Sequence, residues 1–464
     1  MRFAFFRHAI MIIAPDETPS LVIDIPTLID TRPVGRFQFG IFLLAGASLI
    51  VDGFDVQSMG FVAPELVRGW GIERGALGSV FSASLIGMMI GSLVFSVVAD
   101  RVGRRPVLVL AMLLAGVSML VTSDVANLSQ LLVMRVLNGA AVGAIMGNAM
   151  ALVSEYSPAR QRATAMMLVS CGFTAGAMCG GMIAGWLIPV AGWRAVFVAG
   201  GLVSLAIGML MALWLPESVQ WLVLRGARRE RVARIVARIA RCSSLPTGAA
   251  PRYTVRDASR RAEGSAGTVA ALFRDGCGRA TLLLWALNFT NLLNLFLLAN
   301  WLPTIVTNLG HTRNVAITIG TLLQVGGTLG TIGMGFLIDR VGYPRVLLPG
   351  FVAAAVAVAV LGQPGLPLPA LFAAALVGGI CIVGGQPAIN ALTASAYPAG
   401  IRATGIGWGL GIGRAGSILG PMVAGQIAML GASDRTIFVA SALVALASGT
   451  MMLALAKSLR ACTQ

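Results

Sequence analysis

Four charged residues stand inside long apolar stretches of the sequence, where ionisable side chains are costly and are candidates for function. They are Asp52, Asp55, Arg135 and Arg414. Asp52 and Asp55 are three residues apart, so on a helix they share one face. A buried carboxylate close to a guanidinium can take up or release a proton as that contact breaks or forms. These residue types therefore predict proton transfer, combined with binding of an anion by an arginine.

Arg135 lies at a depth similar to that of the two aspartates, by the rise of about 1.5 Å per helical residue. An ion pair between Arg135 and one of the aspartates is therefore feasible. It could serve proton coupling, or it could be a static buried ion pair. Neither histidine, His8 or His311, falls in an apolar stretch. Proton transfer within the apolar stretches would therefore use carboxylates.

Membrane-spanning helices must position these residues, because the composition excludes a soluble core. The chain has 464 residues, of which 57% are hydrophobic and 11% charged, against roughly 25% charged in soluble domains. Each span needs about 20 mostly apolar residues, and the mean hydropathy is +0.85. We predict an all-α membrane protein with twelve transmembrane helices in two six-helix bundles. The predicted spans are 37–61, 76–98, 105–123, 128–150, 164–188, 194–214, 280–306, 315–338, 345–362, 368–392, 404–429 and 435–456.

An internal repeat supports this division into two halves. Asp-Arg-Val-Gly at 100–103 recurs at 339–342, and Arg-Ala-Thr at 162–164 recurs at 402–404, at offsets of 239 and 240. At the same offset Asp52 and Asp55 align with Asn291 and Asn294, so the acids occur only in the first half. This difference favours a functional over an architectural role for them. The predicted domains are a tail 1–36, a bundle 37–214, a linker loop 215–279, a bundle 280–456 and a tail 457–464.

The positive charges fix the predicted orientation. Most of the 34 Lys and Arg residues fall in the tails, the 215–279 linker and the loops on the same side. Cytoplasmic loops carry such an excess, so we expect a multi-pass protein of the cell inner membrane with both termini in the cytoplasm. The same distribution explains the net charge of +16 without a nucleic-acid partner. The segment 231–241 is amphipathic and fits either lipid headgroups or a solvated linker helix.

Several motifs resemble those of the major facilitator superfamily. They are Ala99 to Arg105 after span two, its repeat Gly335 to Tyr343, Arg135 with Gly139 and Gly143, and Pro216-Glu217-Ser218. Ser96 and Val98 depart from the residues usual in the first motif. Narrower motifs are Asp52-Gly53-Phe54-Asp55, Asn300-Trp301-Leu302-Pro303 and Gly407 to Arg414. With these the chain resembles the aromatic acid:proton symporter family, which imports benzoate, hydroxybenzoates, protocatechuate and related acids.

The resemblance implies that the repeated loops switch the conformation of the transporter. Asp100 is expected to meet span eleven near Arg402, and Asp339 to meet span five near Arg162, each at a helix N-terminus where the dipole favours an anion. A cluster that only fixes orientation is the alternative. The predicted switch residues are Asp100, Arg101, Gly103, Arg104, Glu155, Arg162, Asp339, Arg340, Gly342 and Arg402.

Arg414 is the expected anchor of the substrate, because no acidic residue of the second half's spans can neutralise it. A carboxylate can accept its bidentate fork. Asp52, Asp55 and Arg135 are the predicted proton-coupling residues. The remaining predicted contacts, for an aromatic ring and its hydroxyls, are Trp408, Phe54, Asn291, Asn294, Gln324 and Gln386.

A proton-coupled importer of small aromatic carboxylates is therefore the predicted function. Its expected partners are the substrate, protons and the bilayer, with no cofactor or metal and a monomer as the functional unit. The alternatives are import of another organic anion and drug or metabolite efflux in exchange for protons. Span five has no Gly-Pro pair of the kind that such efflux pumps carry, which favours import. No spacing of a metal-dependent or triad enzyme occurs in the spans.

Overall fold

A computed structural model describes residues 22–73, 75–227, 229–240, 252–255, 269–273, 278–363, 365–397 and 402–462 of the chain. The first half consists of α1 Arg36–Trp70, α2 Ala76–Val102, α3 Arg104–Ser123, α4 Leu128–Tyr156, α5 Arg162–Ala191 and α6 Trp193–Trp214. The second half begins with α7 Gly278–Asn308, α8 Arg313–Val341 and α9 Tyr343–Leu361. Next, α10 comprises Leu368–Gly378, a π-helical turn Gly379–Val383 and Gly385–Ala396. The last two helices are α11 Arg402–Met429 and α12 Asp434–Cys462.

Each predicted span corresponds to one of these twelve helices, which confirms the predicted fold class. Among the described residues, eleven helices are long and apolar enough to cross a membrane. The remaining long helix is α11, in which repeated glycines and Arg414 lower the hydropathy. The predicted first span ends at 61, whereas α1 continues through Pro64 to Trp70. Membrane helices tolerate such prolines because neighbouring groups satisfy the freed backbone carbonyls.

The two halves repeat the same helix packing, as the sequence repeat predicts. In the first half α1 packs on α5, α2 on α4 and α3 on α6, and in the second half α7 packs on α11, α8 on α10 and α9 on α12. The halves meet through α1 with α7, α2 with α11 and α5 with α8.

Close approach of α1 and α5 fixes the helix segment that carries the two aspartates. A Cβ atom on Gly53 would lie 1.8 Å from the carbonyl oxygen of Phe173, and one on Gly176 would lie 1.9 Å from that of Ile50. Glycines allow such backbone contact between membrane helices. The segment around Asp52 is therefore held against α5 by backbone packing that a larger residue would break.

The end of the molecule that holds the start of α1, the end of α12 and the α2–α3 and α8–α9 loops is called the basic end below, and the opposite end the far end. At the basic end, strand β1 Val22–Asp24 pairs in parallel with strand β2 Arg252–Thr254. The helix Arg229–Ala240 buries Val232, Val236 and Ile239 in an apolar cluster with the ends of α3 and α4. The amphipathic segment therefore packs on protein, and neither the lipid nor the solvated alternative describes its apolar face.

The described hydrogen bonds and ion pairs between the halves lie in the middle of the molecule and toward the far end. Gln57 donates to the carbonyl of Ala299 at 2.8 Å and accepts from Gln324 at 2.8 Å. Near the far end, Arg313 Nη2 of α8 lies 2.6 Å from Glu65 Oε1 of α1. These contacts hold α1 of the first half against α7 and α8 of the second.

Candidate functional site

Asp55 and Arg135 form a buried ion pair that joins α1 to α4. The Nη1–Oδ1 distance is 3.2 Å and the Nη2–Oδ2 distance 3.4 Å. The Arg135 and Asp55 side chains are only 2% and 1% exposed. Arg135 Nη2 also donates to Ser84 Oγ of α2 at 3.1 Å. The charge of Asp55 is thus balanced inside the first half by a bidentate partner.

Asp52 is the unbalanced member of the two aspartates. Its side chain is 0% exposed, and neither of its carboxyl oxygens has a hydrogen-bond partner. Burying an unpaired carboxylate is strongly unfavourable unless the group is neutral or a cation lies nearby. The charges that act on it through space are those of Asp55 and, from the other half, Arg414.

Arg414 lies twelve residues into α11 from the basic end, which is about 18 Å at the rise of a helix. Asp52 lies about 24 Å into α1 from the same end, so both are deep within their helices. Within the described part of the chain, the Arg414 side chain has no hydrogen-bond or ion-pair partner, while its charge interacts with that of Asp52. The site therefore contains one carboxylate and one guanidinium, on opposite halves, that lack direct partners.

A small cavity adjoins Arg135 on the side of the far end. Val56, Met59, Phe81, Ser84 and Leu85 of the first half line it together with Asn300 of the second. The Nε atom of Arg135 is buried and has no partner. The cavity thus lies next to the ion pair, and both polar and apolar side chains line it.

A network of amide side chains connects α7 and α10 in the second half. Asn291 donates to the carbonyl of Ile382 at 3.2 Å and to Gln386 at 2.8 Å. Gln386 in turn donates to Asn288 at 3.1 Å and Asn390 at 2.9 Å. Ile382 belongs to the π-helical turn of α10, and such turns often occur at functional sites. Asn291 and Gln386, both predicted from the sequence, are thus brought together.

The other two predicted amides are placed differently. Asn294 donates to the carbonyl of Ser441 at 3.1 Å and accepts from its hydroxyl at 2.8 Å, which ties α7 to α12. Gln324 bonds to Gln57 across the boundary between the halves, and its buried Oε1 has no partner. Gln324 therefore retains an acceptor for a further donor. The described hydrogen bonds of Asn294, by contrast, stay within the second half.

The two predicted aromatic contacts lie away from one another. Trp408 stacks on Trp285 at 5.7 Å, toward the basic end, and is 45% exposed. The Phe54 ring packs beside Gly180, Gly200 and Met119 within the first half. Neighbouring side chains thus already cover the Phe54 ring and one face of Trp408. Contact of either residue with a substrate stays a prediction.

Glu217, from the predicted Pro216-Glu217-Ser218 motif, organises the loop between α2 and α3. Its carboxylate accepts from the backbone amides of Arg104 at 2.9 Å and Arg105 at 3.3 Å, at the N-terminus of α3, where the helix dipole favours an anion. Arg104 forms an ion pair with Glu155, which also accepts from the Ser218 hydroxyl. The sequence identified the motif but not Glu217 as the cap of this helix.

The other predicted switch residues lie at the same end. Gly103 and Gly342 have φ values of 107° and 84°, which favour glycine, and each precedes a helix. Arg101 and Arg340 are exposed, and Arg162 has a buried Nε without a partner. Asp100, Asp339 and Arg402 lie in helices, but their side chains fall outside the described part of the structure, so the expected contacts of Asp100 and Asp339 stay predictions. Over the described residues, no cluster of His, Cys, Asp and Glu is suited to a metal ion.

Comparison with solved structures identifies the architecture. The fold resembles the xylose transporter XylE of Escherichia coli in a partially occluded inward open conformation, with a TM-score of 0.71 and 16% identity over 90% of this chain and 98% of that one. It also resembles a bacterial homologue of the lysosomal transporter Spinster, with a TM-score of 0.67 and 15% identity over 92% and 98% of the two chains. The profile of the Major Facilitator Superfamily matches residues 45–272 and 284–460. The chain belongs to this superfamily of membrane transporters and is not an enzyme.

Closer relatives narrow the family. The chain is 37% identical to the 4-hydroxybenzoate transporter PcaK of Pseudomonas aeruginosa over 93% of its own length and 95% of the relative's. It is 36% identical to a gallate transporter of Pseudomonas putida over 96% and 97% of the two lengths. A benzoate transport protein of Acinetobacter baylyi is 29% identical over 88% and 87%. These relatives place the chain in the aromatic acid:proton symporter family, as its motifs predict.

Proposed function

We propose that this transporter imports small aromatic carboxylates, such as 4-hydroxybenzoate, benzoate or protocatechuate, together with protons. The proposal rests on two groups that have no hydrogen-bond or ion-pair partner. They are the buried carboxyl of Asp52 in the first half and the guanidinium of Arg414 in the second. The first supplies a place for a proton and the second a place for the substrate's carboxylate. The identity to relatives named for 4-hydroxybenzoate, gallate and benzoate supports the aromatic class.

Arg414 binds the substrate carboxylate through its bidentate fork in this mechanism. The aromatic ring extends between the halves, and the amides of Gln386 and Asn291 hydrogen-bond its hydroxyl groups. Both amides are fixed by their own network, so they meet the ring with little loss of side-chain entropy. Gln324 offers its buried free acceptor to a hydroxyl on the other side.

Asp52 binds a proton when the site is open to the far end and releases it when the site is open to the basic end. In its neutral form it tolerates burial without a partner. During this proton transfer, Asp55 and Arg135 neutralise each other and hold α1 against α4. Because each chain supplies both Asp52 and Arg414 from its two halves, a monomer contains the whole site.

A proton makes uptake energetically feasible. The basic end faces the cytoplasm in this proposal, because positively charged loops are retained there. Moving one anion into a cell against 100 mV costs about 2.3 kcal/mol, and one accompanying proton cancels that charge. Closure at the far end and opening at the basic end then releases the substrate inside.

Uptake of labelled acids into cells tests the proposal. We expect saturable uptake of 4-hydroxybenzoate, benzoate or protocatechuate that collapses when a protonophore is added. The variant Arg414→Gln should lose uptake, whereas Arg435→Gln, which changes an exposed arginine at the far end, should retain it. Absence of uptake of all three acids, with the protein present in the membrane, would refute the aromatic substrate class.

A further inference from the structure

The four charges of the site divide into a closed pair and an open pair. Asp55 and Arg135 neutralise each other through two hydrogen bonds of 3.2 and 3.4 Å. Asp52 and Arg414 stand on opposite halves, and no hydrogen bond or ion pair joins them in this conformation. Both oxygens of Asp52 lack a partner although the side chain is 0% exposed. The open pair thus consists of the two charges among these four that no ion pair neutralises.

We propose that the carboxylate of Asp52 and the carboxylate of the substrate are alternative anions for Arg414, so that one proton crosses with each substrate and the transport cycle is electroneutral. This inference rests on the proposed function and adds its stoichiometry and its coupling rule. It follows from the position of the open pair, because Asp52 belongs to α1 of the first half and Arg414 to α11 of the second, so that a movement between the halves would change the distance between them.

Four occupancies of the site differ in their net charge. With the closed pair neutral, the empty site with ionised Asp52 sums to zero, and so does the site that holds both a proton and a substrate anion. A proton alone leaves a charge of plus one on Arg414, and a substrate alone leaves minus one on Asp52. Burial of an uncompensated charge opposes closure of the halves. Only the empty and the doubly loaded site therefore change conformation readily, which prevents leakage of either ion.

The exchange of partners accounts for every proton and charge. On the far side, Asp52 takes a proton from water and releases Arg414, which then binds the substrate anion. On the basic side, the substrate leaves as an anion and the Asp52 carboxyl transfers its proton to water. The carboxylate formed in this way approaches Arg414 and neutralises it for the return step.

The variant Asp52→Asn separates this rule from simple proton binding. Asparagine resembles the neutral carboxyl, so the substrate-loaded site is still balanced, but the empty site leaves Arg414 without an anion. In proteoliposomes loaded with unlabelled 4-hydroxybenzoate, we expect exchange with external labelled substrate at no less than a tenth of the parent rate. Net uptake into empty vesicles driven by a pH gradient should fall at least 100-fold. The matched control Asp124→Asn, an exposed acid at the end of α3, should match the parent in both assays.

Loss of exchange together with net uptake in a folded Asp52→Asn protein would overturn the proposal, and so would retention of net uptake. A second measurement uses the unaltered protein and does not depend on any variant. With a fixed pH gradient, an inside-negative potential of 100 mV should change substrate accumulation less than about two-fold. A second proton would carry one net charge, worth about 2.3 kcal/mol, and would raise accumulation roughly 50-fold, which contradicts the inference. If the unaltered protein neither accumulates nor exchanges any aromatic acid, the proposed function itself fails.

Discussion

Replacement of Arg135 by glutamine should destabilise the protein strongly, because Asp55 would remain buried without its cation. The pair is bidentate, with distances of 3.2 and 3.4 Å, and both side chains are at most 2% exposed. Removing one partner of such a pair costs about 3–5 kcal/mol. Titration of the purified protein with sodium dodecyl sulfate in mixed micelles would measure the free energy of unfolding.

Two further variants make this prediction specific. Asp55→Asn combined with Arg135→Gln removes both charges and should recover most of the loss, to within about 2 kcal/mol of the parent. Arg68→Gln breaks the 3.5 Å contact with Glu65, but Arg68 is 56% exposed. This control should cost less than about 1 kcal/mol. If the free energy of unfolding of Arg135→Gln were also within about 1 kcal/mol of the parent's, the buried pair would not stabilise the fold.

Three other changes test the positioning of the site. Gly53→Ala places a methyl group 1.8 Å from a carbonyl oxygen of α5 and should lower the melting temperature and the yield of folded protein, whereas Gly147→Ala, with open space around it, should be tolerated. Ile29→Ala removes a fully buried side chain of the short helix Ile25–Thr31 and should cost about 2–5 kcal/mol in the same detergent titration, in contrast to Thr31→Ala on the exposed face. Glu217→Ala removes the cap of α3 and should cost about 1–3 kcal/mol. Equal stability of each variant and the parent would contradict these assignments.

The helices and their two-fold repetition could be predicted because apolar length and repeated motifs are local properties of the sequence. Helix ends were less predictable. The first span was predicted to stop before Pro64, yet α1 continues to Trp70, because packing in the membrane compensates for proline. The pairing of Val22–Asp24 with Arg252–Thr254 joins segments far apart in the chain, and three residues are too short for a periodic pattern.

The charged residues of the site were identifiable from their cost in a membrane, but their partners were not. Asp52 and Asp55 share a helical face, so spacing alone does not decide which one binds Arg135. In the structure Asp55 is the partner of Arg135, while Asp52 has no hydrogen-bond partner and experiences the charge of Arg414 from the other half. Phe54 lies between the two acids in the sequence, and its ring nevertheless packs into the first half. Such choices depend on how helices rotate against their neighbours.

Movement of protons with the substrate shows directly whether Asp52 couples import to protons. Cells that contain the transporter are suspended without an energy source in lightly buffered medium, and 4-hydroxybenzoate is added while the external pH is recorded. We expect a transient alkalinisation that is absent from cells with the Asp52→Asn variant and present with Asp124→Asn. Uptake of the acid with no change in external pH would contradict proton-coupled import through Asp52.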